Sequence, residues 1–191
     1  MKRLLVIGIG AGDPDYLTMQ AIKALNRVDV FFLMDKGPSK DSLIDLRREI
    51  CARYITDRAY RFAEAHSPER ERGDVDYTAS VDELNRAKQQ TFERLINDQL
   101  SDGQCGGFLV WGDPALYDST VRILQAILDS GTSAFEFEVI PGITSVQALA
   151  AQHKVPLNSL GRSIEITTGR RLAAGQVSDT DSLVVMLDAE D

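Results

Sequence analysis

Three short glycine-containing stretches carry the residue types that could hold a small polar ligand. They are Gly8-Ile9-Gly10-Ala11-Gly12-Asp13-Pro14, Trp111-Gly112-Asp113-Pro114-Ala115-Leu116-Tyr117 and Pro141-Gly142-Ile143-Thr144-Ser145. Glycine admits positive φ angles and lets another molecule approach backbone N–H groups, so such turns suit the polar ends of a cofactor. Each follows a predicted strand. Loops at the carboxyl ends of strands are where open α/β sheets bind ligands, which makes the Gly-Asp-Pro turn after Phe108-Leu109-Val110-Trp111 the provisional centre of function. Taken singly, that turn reads first as an ordinary strand-to-helix connection.

The spacing of these residues limits the chemistry. The first turn is GxGxG without the GxGxxG of a dinucleotide site, and Asp13 and Pro14 stand where the third glycine and the helix start would be. Asp35 closes the second expected strand, where a ribose-binding acid could sit, so an NAD(P)-dependent oxidoreductase stays open as an alternative. There is no Gly-Lys-Ser/Thr for a phosphate loop. His66, His153, Cys51 and Cys105 have no ligand spacing, so no metal is expected; nor is there a GxSxG elbow or a Cys/His pair for covalent catalysis.

A net charge of -8 argues against a non-specific nucleic-acid or anionic-membrane surface and requires a local basic patch for any anionic substrate. Two cysteines without a disulfide pattern fit a reducing cytoplasm. The N-terminus lacks a signal-peptide shape, and no later run is long and apolar enough for a membrane span.

Strands and helices must alternate to position the turns. Strands are expected at Leu4 to Ile9, Val30 to Met34, Phe108 to Trp111 and Phe135 to Ile140. Helices are expected at Thr18 to Leu25, from Ser39 to about Arg53, and from about Asp118 toward Gly131, with Val121, Leu124 and Leu128 repeating at helical spacing; another runs from Ser145 to Gln152. Ser80-Val81-Asp82-Glu83 has capping-box form and predicts a helix from there to about Leu100, with Leu84, Phe92 and Leu95 inward. The charged stretch from Asp57 to Tyr77 reads as a solvated loop. After a linker from Val155 to Arg162 come a strand Ser163 to Thr168, a turn Gly169-Arg170-Arg171 and a strand Leu183 to Leu187. The alternation predicts a parallel α/β sheet in a domain spanning 1–157. Residues 158–191 contain too few elements for a compact domain and read as the start of an incomplete second α/β domain.

In this order, the three turns resemble those of the S-adenosylmethionine-dependent tetrapyrrole methylases. The opening motif of that family is similar to Val6 through Thr18, its central motif to Gly112 through Tyr117 and its third to Pro141 through Ser145; Thr167-Thr168-Gly169-Arg170 resembles the start of its second domain. The resemblance implies two α/β domains with S-adenosylmethionine in the cleft between them, usually in a homodimer. Trp111, Gly112, Asp113 and Leu116 would line its methionine end, Thr144 and Ser145 another part of its pocket, and Met186 the adenine side. Asp35 resembles the acid that serves as a base in related methylases, with Lys36 beside it. The substrate would be an anionic tetrapyrrole. The charged Ser67-to-Arg72 stretch and the Asp76-to-Leu84 segment after it narrow the likeness to methylation of precorrin-5 at carbon 1 with loss of acetate. Tyr117 and Arg170 are then candidates for the deacetylation. Arg162, Arg170, Arg171 and Lys36 would form a cationic rim, and Arg70 and Arg72 would belong to a substrate-covering loop. Another methylase of this family acting on a different precorrin, and a non-catalytic cofactor-binding module, are the further alternatives.

Overall fold

The computed structural model describes residues 1–35, 41–68 and 77–187. Five strands, β1 (Lys2–Gly8), β2 (Val30–Asp35), β3 (Arg61–His66), β4 (Cys105–Val110) and β5 (Phe135–Ile140), form one sheet in the order β3-β2-β4-β1-β5. Every pairing is parallel. The crossovers are α1 (Met19–Leu25), α2 (Asp41–Tyr54), α3 (Tyr77–Gln99) and α4 (Thr120–Ser130). The chain divides into two compact units, Met1–Thr144 and Ser145–Asp191. The second contains α5 (Ser145–His153), β6 (Ile164–Thr168), α6 (Gly169–Ala173) and β7 (Ser182–Met186), with β6 and β7 paired in parallel.

Alternation along the strands sorts the first unit's core into two clusters. Leu4, Val6, Phe32, Phe108 and Val110 pack with Phe92, Leu95 and Ile96 of α3 and Ile123, Leu124 and Ile127 of α4. Leu5, Ile7, Phe31 and Leu109 pack with Ala21, Ala24 and Leu25 of α1 and Ile50 and Cys51 of α2. Strands covered on both faces read as continuous apolar runs for this reason. Large rings on β2 fill the space beside β4: a Cβ added at Gly106 would stand 2.6 Å from Phe32 Cε2, and one at Gly107 3.2 Å from Phe31 Cδ1. The Asp29 carboxylate accepts from the Cys105 amide at 2.8 Å and pairs with Arg58, fixing the register where β2 and β4 begin.

The structure corrects several expectations. Arg61–His66 is a strand inside the stretch read as solvated loop. It is an edge strand whose one buried residue is Ala63, and exposed charges on both of its faces, Arg61 on one and Glu64 on the other, interrupt its apolar pattern. Helix α3 starts at Tyr77, and Ser80 lies inside its first turn; Ser-x-x-Glu spacing is also the (i, i+3) spacing of a continuing helix. Strand β4 starts at Cys105 and stops before Trp111, which is 40% exposed. On α4, Leu124 is fully buried with Thr120, Ile123 and Ile127, and Val121 and Leu128 pack partly buried against the same cluster, so the apolar face is wider than the spacing alone suggests. Gly169-Arg170-Arg171 begins the short helix α6. Ser39, and most of the charged segment after Ser67, lie outside the described residues.

The Phe108 ring stacks on Phe92 at 4.6 Å and 6° and meets Phe32 at 4.9 Å. Phe108→Ala is expected to lower stability by about 3–5 kcal/mol in urea denaturation, and Trp111→Ala by clearly less.

Candidate functional site

Register decides where the turns meet. Gly8 pairs with Val110 and Ile7 with Ile140, so β1, β4 and β5 end level and release their turns side by side at the carboxyl edge. Gly10 and Gly112 then bridge the first two turns, with Gly112 N donating to Gly10 O at 2.8 Å and Gly10 N to Gly112 O at 3.3 Å. The third turn closes on both. A Cβ at Gly142 would stand 2.1 Å from Gly112 O and 2.9 Å from Gly8 Cα, and one at Gly8 2.6 Å from Gly142 N. Only glycine permits this approach of three backbones.

Asp113 clamps the arrangement. One carboxylate oxygen accepts from the Gly142 amide at 2.8 Å and the other from the Ala115 amide at 2.7 Å, while its carbonyl accepts from Leu116 N at 3.1 Å. Pro114 follows without an N–H of its own to satisfy. Tyr117 holds a φ of 53°, a left-handed conformation uncommon for an aromatic residue, and its side chain is exposed. Asp118 Oδ1 then accepts from Thr120 N at 2.7 Å and starts α4.

The first turn is also tied down. Asp13 accepts from Asp15 N at 2.9 Å and opens a single 3-10 turn, Pro14–Tyr16, whose Tyr16 Cβ lies 2.6 Å from where a Gly10 Cβ would be. At Gly12, with φ of +114°, a Cβ would meet the Trp111 ring edge at 3.2 Å, so the indole lies over this glycine. Thr18 caps α1 through Ala21 N at 3.0 Å. A dinucleotide fold needs its glycine turn to run straight into a helix that receives the pyrophosphate. Here the 3-10 turn and Thr18 intervene before α1, which removes the geometric basis for that alternative.

Trp111, Gly112, Asp113, Leu116, Tyr117 and Thr144 thus belong to the first unit, with Gly112 and Thr144 buried and 3.7 Å between an added Gly112 Cβ and Thr144 Cα. Asp35 ends β2, paired with His66. Lys36, Arg70 and Arg72 lie outside the described residues. Ser145 opens α5, Arg170 is an exposed residue of α6, and Met186 ends β7 opposite Thr168, all in the second unit. Of the expected cationic rim, Arg162 pairs with Asp181 at 3.0 Å and Arg171 donates to Gln176 O at 3.2 Å. The Thr167 and Thr168 hydroxyls are buried with no hydrogen-bond partner among the described residues. Sequence reasoning missed Gly8 and Gly142 as the closest contacts; their signal was a glycine at or just past each strand end. Both thiols are buried, and desolvation raises their pKa, that of Cys51 to about 12, so neither supplies a thiolate nucleophile near neutral pH.

The family model of tetrapyrrole (corrin/porphyrin) methylases matches residues 3–191. The chain is 47% identical over 190 residues to a precorrin-6A synthase [deacetylating] of Sinorhizobium, covering all of this chain and 73% of that protein. It is 28% identical over 171 residues to a uroporphyrinogen-III C-methyltransferase of Bacillus subtilis, covering 88% of this chain and 56% of that one. Among solved structures, it resembles a cobalamin synthesis related protein (CobF) from Corynebacterium diphtheriae, with a TM-score of 0.76 and 33% identity over all of this chain and 74% of that one.

Because the atom facing Gly142 is a backbone oxygen, Gly142→Ala is expected to cost about 1–3 kcal/mol or more in chemical denaturation. Asp113→Ala is expected to cost about 1–3 kcal/mol by leaving amides unpaired, which the same measurement checks.

Proposed function

We propose that the chain, which belongs to the tetrapyrrole (corrin/porphyrin) methylases, transfers a methyl group from S-adenosylmethionine to a ring carbon of a cobalamin precursor. The substrate in this reading is precorrin-5, methylated at carbon 1 with release of acetate to give precorrin-6A. The observation that carries it is the packing of Gly8, Gly112 and Gly142 backbone to backbone at the carboxyl edge of the sheet. The extent of the likeness to the Sinorhizobium precorrin-6A synthase supports the choice of substrate.

The glycine turns fit the cofactor. Side chains are absent where the three backbones converge, and Asp113 holds the turns in place before any ligand arrives, so the cost of ordering them is met in folding. Trp111, Gly112, Asp113 and Leu116 would take the methionine end, Thr144 and Ser145 another part of the molecule, and Met186 the adenine. Bound S-adenosylmethionine supplies an electrophilic methyl group on a sulfonium. The residues of the chain would hold the ring carbon in line with it and remove a proton, with Asp35 as the base and Lys36 nearby. Loss of the acetyl group as acetate requires water to attack its carbonyl, and Tyr117 and Arg170 are the candidates to assist. The exposure and positive φ of Tyr117 support a role beyond packing.

No described helix is long and apolar enough to cross a membrane. A cytoplasmic homodimer without nucleic-acid or membrane partners completes the reading, on the family likeness and the acidic charge. A second reading, methylation of a different precorrin, rests on the family as a whole.

Calorimetry with S-adenosylhomocysteine and with NADP tests the cofactor: binding of the former alone is expected, and binding of NADP alone would overturn the reading. Incubation with S-adenosylmethionine and precorrin-5, followed by mass spectrometry, is expected to show methyl gain together with acetate. Methyl gain on another precorrin alone would select the second reading.

A further inference from the structure

The sheet splits at its carboxyl edge. β2 and β4 pair from Val30 and Gly106 to Phe32 and Phe108 and then part, although β2 remains paired with β3 as far as Asp35 and β4 with β1 as far as Val110. A cavity of about 190 Å3 occupies the opening, reached by side chains from α2, α3 and the start of α4. Parting strands leave backbone groups without ladder partners, and the chain uses an arginine to satisfy one of them. Arg47 of α2 donates Nε to Leu109 O at 3.0 Å and Nη1 to Leu43 O at 2.8 Å, which fixes the guanidinium in the cavity wall. Two N–H groups are thereby engaged, and a guanidinium carries more.

The other linings give the cavity a chemical character. Phe32, Phe92, Phe108 and Ile123 make an apolar floor, Lys88 of α3 brings a second cation one helical turn before Phe92, and Asp118 brings one carboxylate. Among the described residues that line it, two cations stand against one anion, an inversion of the protein's overall charge of -8. Burial lowers the Arg47 pKa from its ordinary value, with Asp118 opposing the shift, so this cation is poorly solvated. A poorly solvated Arg47 and a half-buried Lys88 lining one cavity with aromatic rings suit an anion on a short alkyl arm better than a fully hydrated inorganic ion.

We propose that the crevice between β2 and β4 is a subsite for one carboxyalkyl side chain of the substrate, with Lys88 and Arg47 holding the carboxylate and the phenylalanines its methylenes. The identification of the arm as a substrate group rests on the tetrapyrrole reading, since such macrocycles carry acetate and propionate arms. The subsite would fix the rotational setting of the macrocycle, and so which ring carbon is presented for methylation. Lys88 and Arg47 are therefore specificity-determining residues for the transfer.

Trp111, the single tryptophan of the sequence, lines the same cavity, so its fluorescence reports occupancy directly. The full chain is titrated with sodium propionate and with propionamide at constant ionic strength. A saturable Trp111 response to propionate, absent with propionamide, is expected. Lys88→Met should weaken propionate binding about tenfold, Lys88→Arg should restore it, and Asp118→Asn, which keeps an acceptor for the Thr120 amide, should tighten it. An equal response to the uncharged amide, or propionate affinity unchanged in both Lys88→Met and Asp118→Asn, would overturn the proposal. Should Lys88→Met fail to fold, Asp118→Asn and the propionamide comparison still decide. No methyl donor takes part, so failure here leaves methyl transfer standing, and failure of S-adenosylhomocysteine binding leaves the subsite standing.

Discussion

The contact on which the carboxyl edge of the first unit's sheet depends is the convergence of three backbones at Gly8, Gly112 and Gly142, held by the two oxygens of one carboxylate, Asp113. Each strand contributes a chain end that cannot accept a Cβ, and the level endings of β1, β4 and β5 bring those ends together. The order is one of necessity. Parallel pairing sets the register, the register sets which residues face each other beyond the last hydrogen bond, and glycine at those places lets the turns close. A carboxylate that accepts two backbone amides holds the result at the strength of charge-assisted bonds.

The same sheet provides a second feature by the opposite device. Where β1 and β4 stay paired to their ends, β2 and β4 part after Phe32 and Phe108, and the opening has Arg47 where a ladder would have continued. A closed edge of glycines and an open edge lined by cations thus lie on either side of the strand β4. One exposes backbone free of side chains and the other exposes charge beside aromatic rings. This division suits a reaction between a small sulfonium donor and a large anionic acceptor.

Much of this was legible in the sequence, for identifiable reasons. Continuous apolar runs announced β1 and β2 because both their faces are buried, and the glycine turns announced themselves by composition. The helix ends at Thr18 and Gly131 follow from the cap residues themselves. Strand β3 was hidden because an edge strand with charged solvent-facing residues looks like a loop. The start of α3 was displaced because a Ser-x-x-Glu pattern is compatible with either a cap or a helix interior. The role of Asp113 could be guessed as a ligand contact from its place in a motif, but its double acceptance from Gly142 and Ala115 depends on a third turn distant in the sequence. Arg47 gave no signal at all: on a helical wheel it is one more polar residue of α2, and only the parting of two strands makes it part of a cavity.

The central claim is that the three joined turns form one cofactor cradle. Amide hydrogen exchange of the full chain, followed with and without S-adenosylhomocysteine, tests it most directly. The account predicts slowed exchange in 8–12, 111–117 and 142–144 together, with the same concentration dependence. Protection confined to one of these turns, or lying wholly elsewhere while the three remain unchanged, would contradict it.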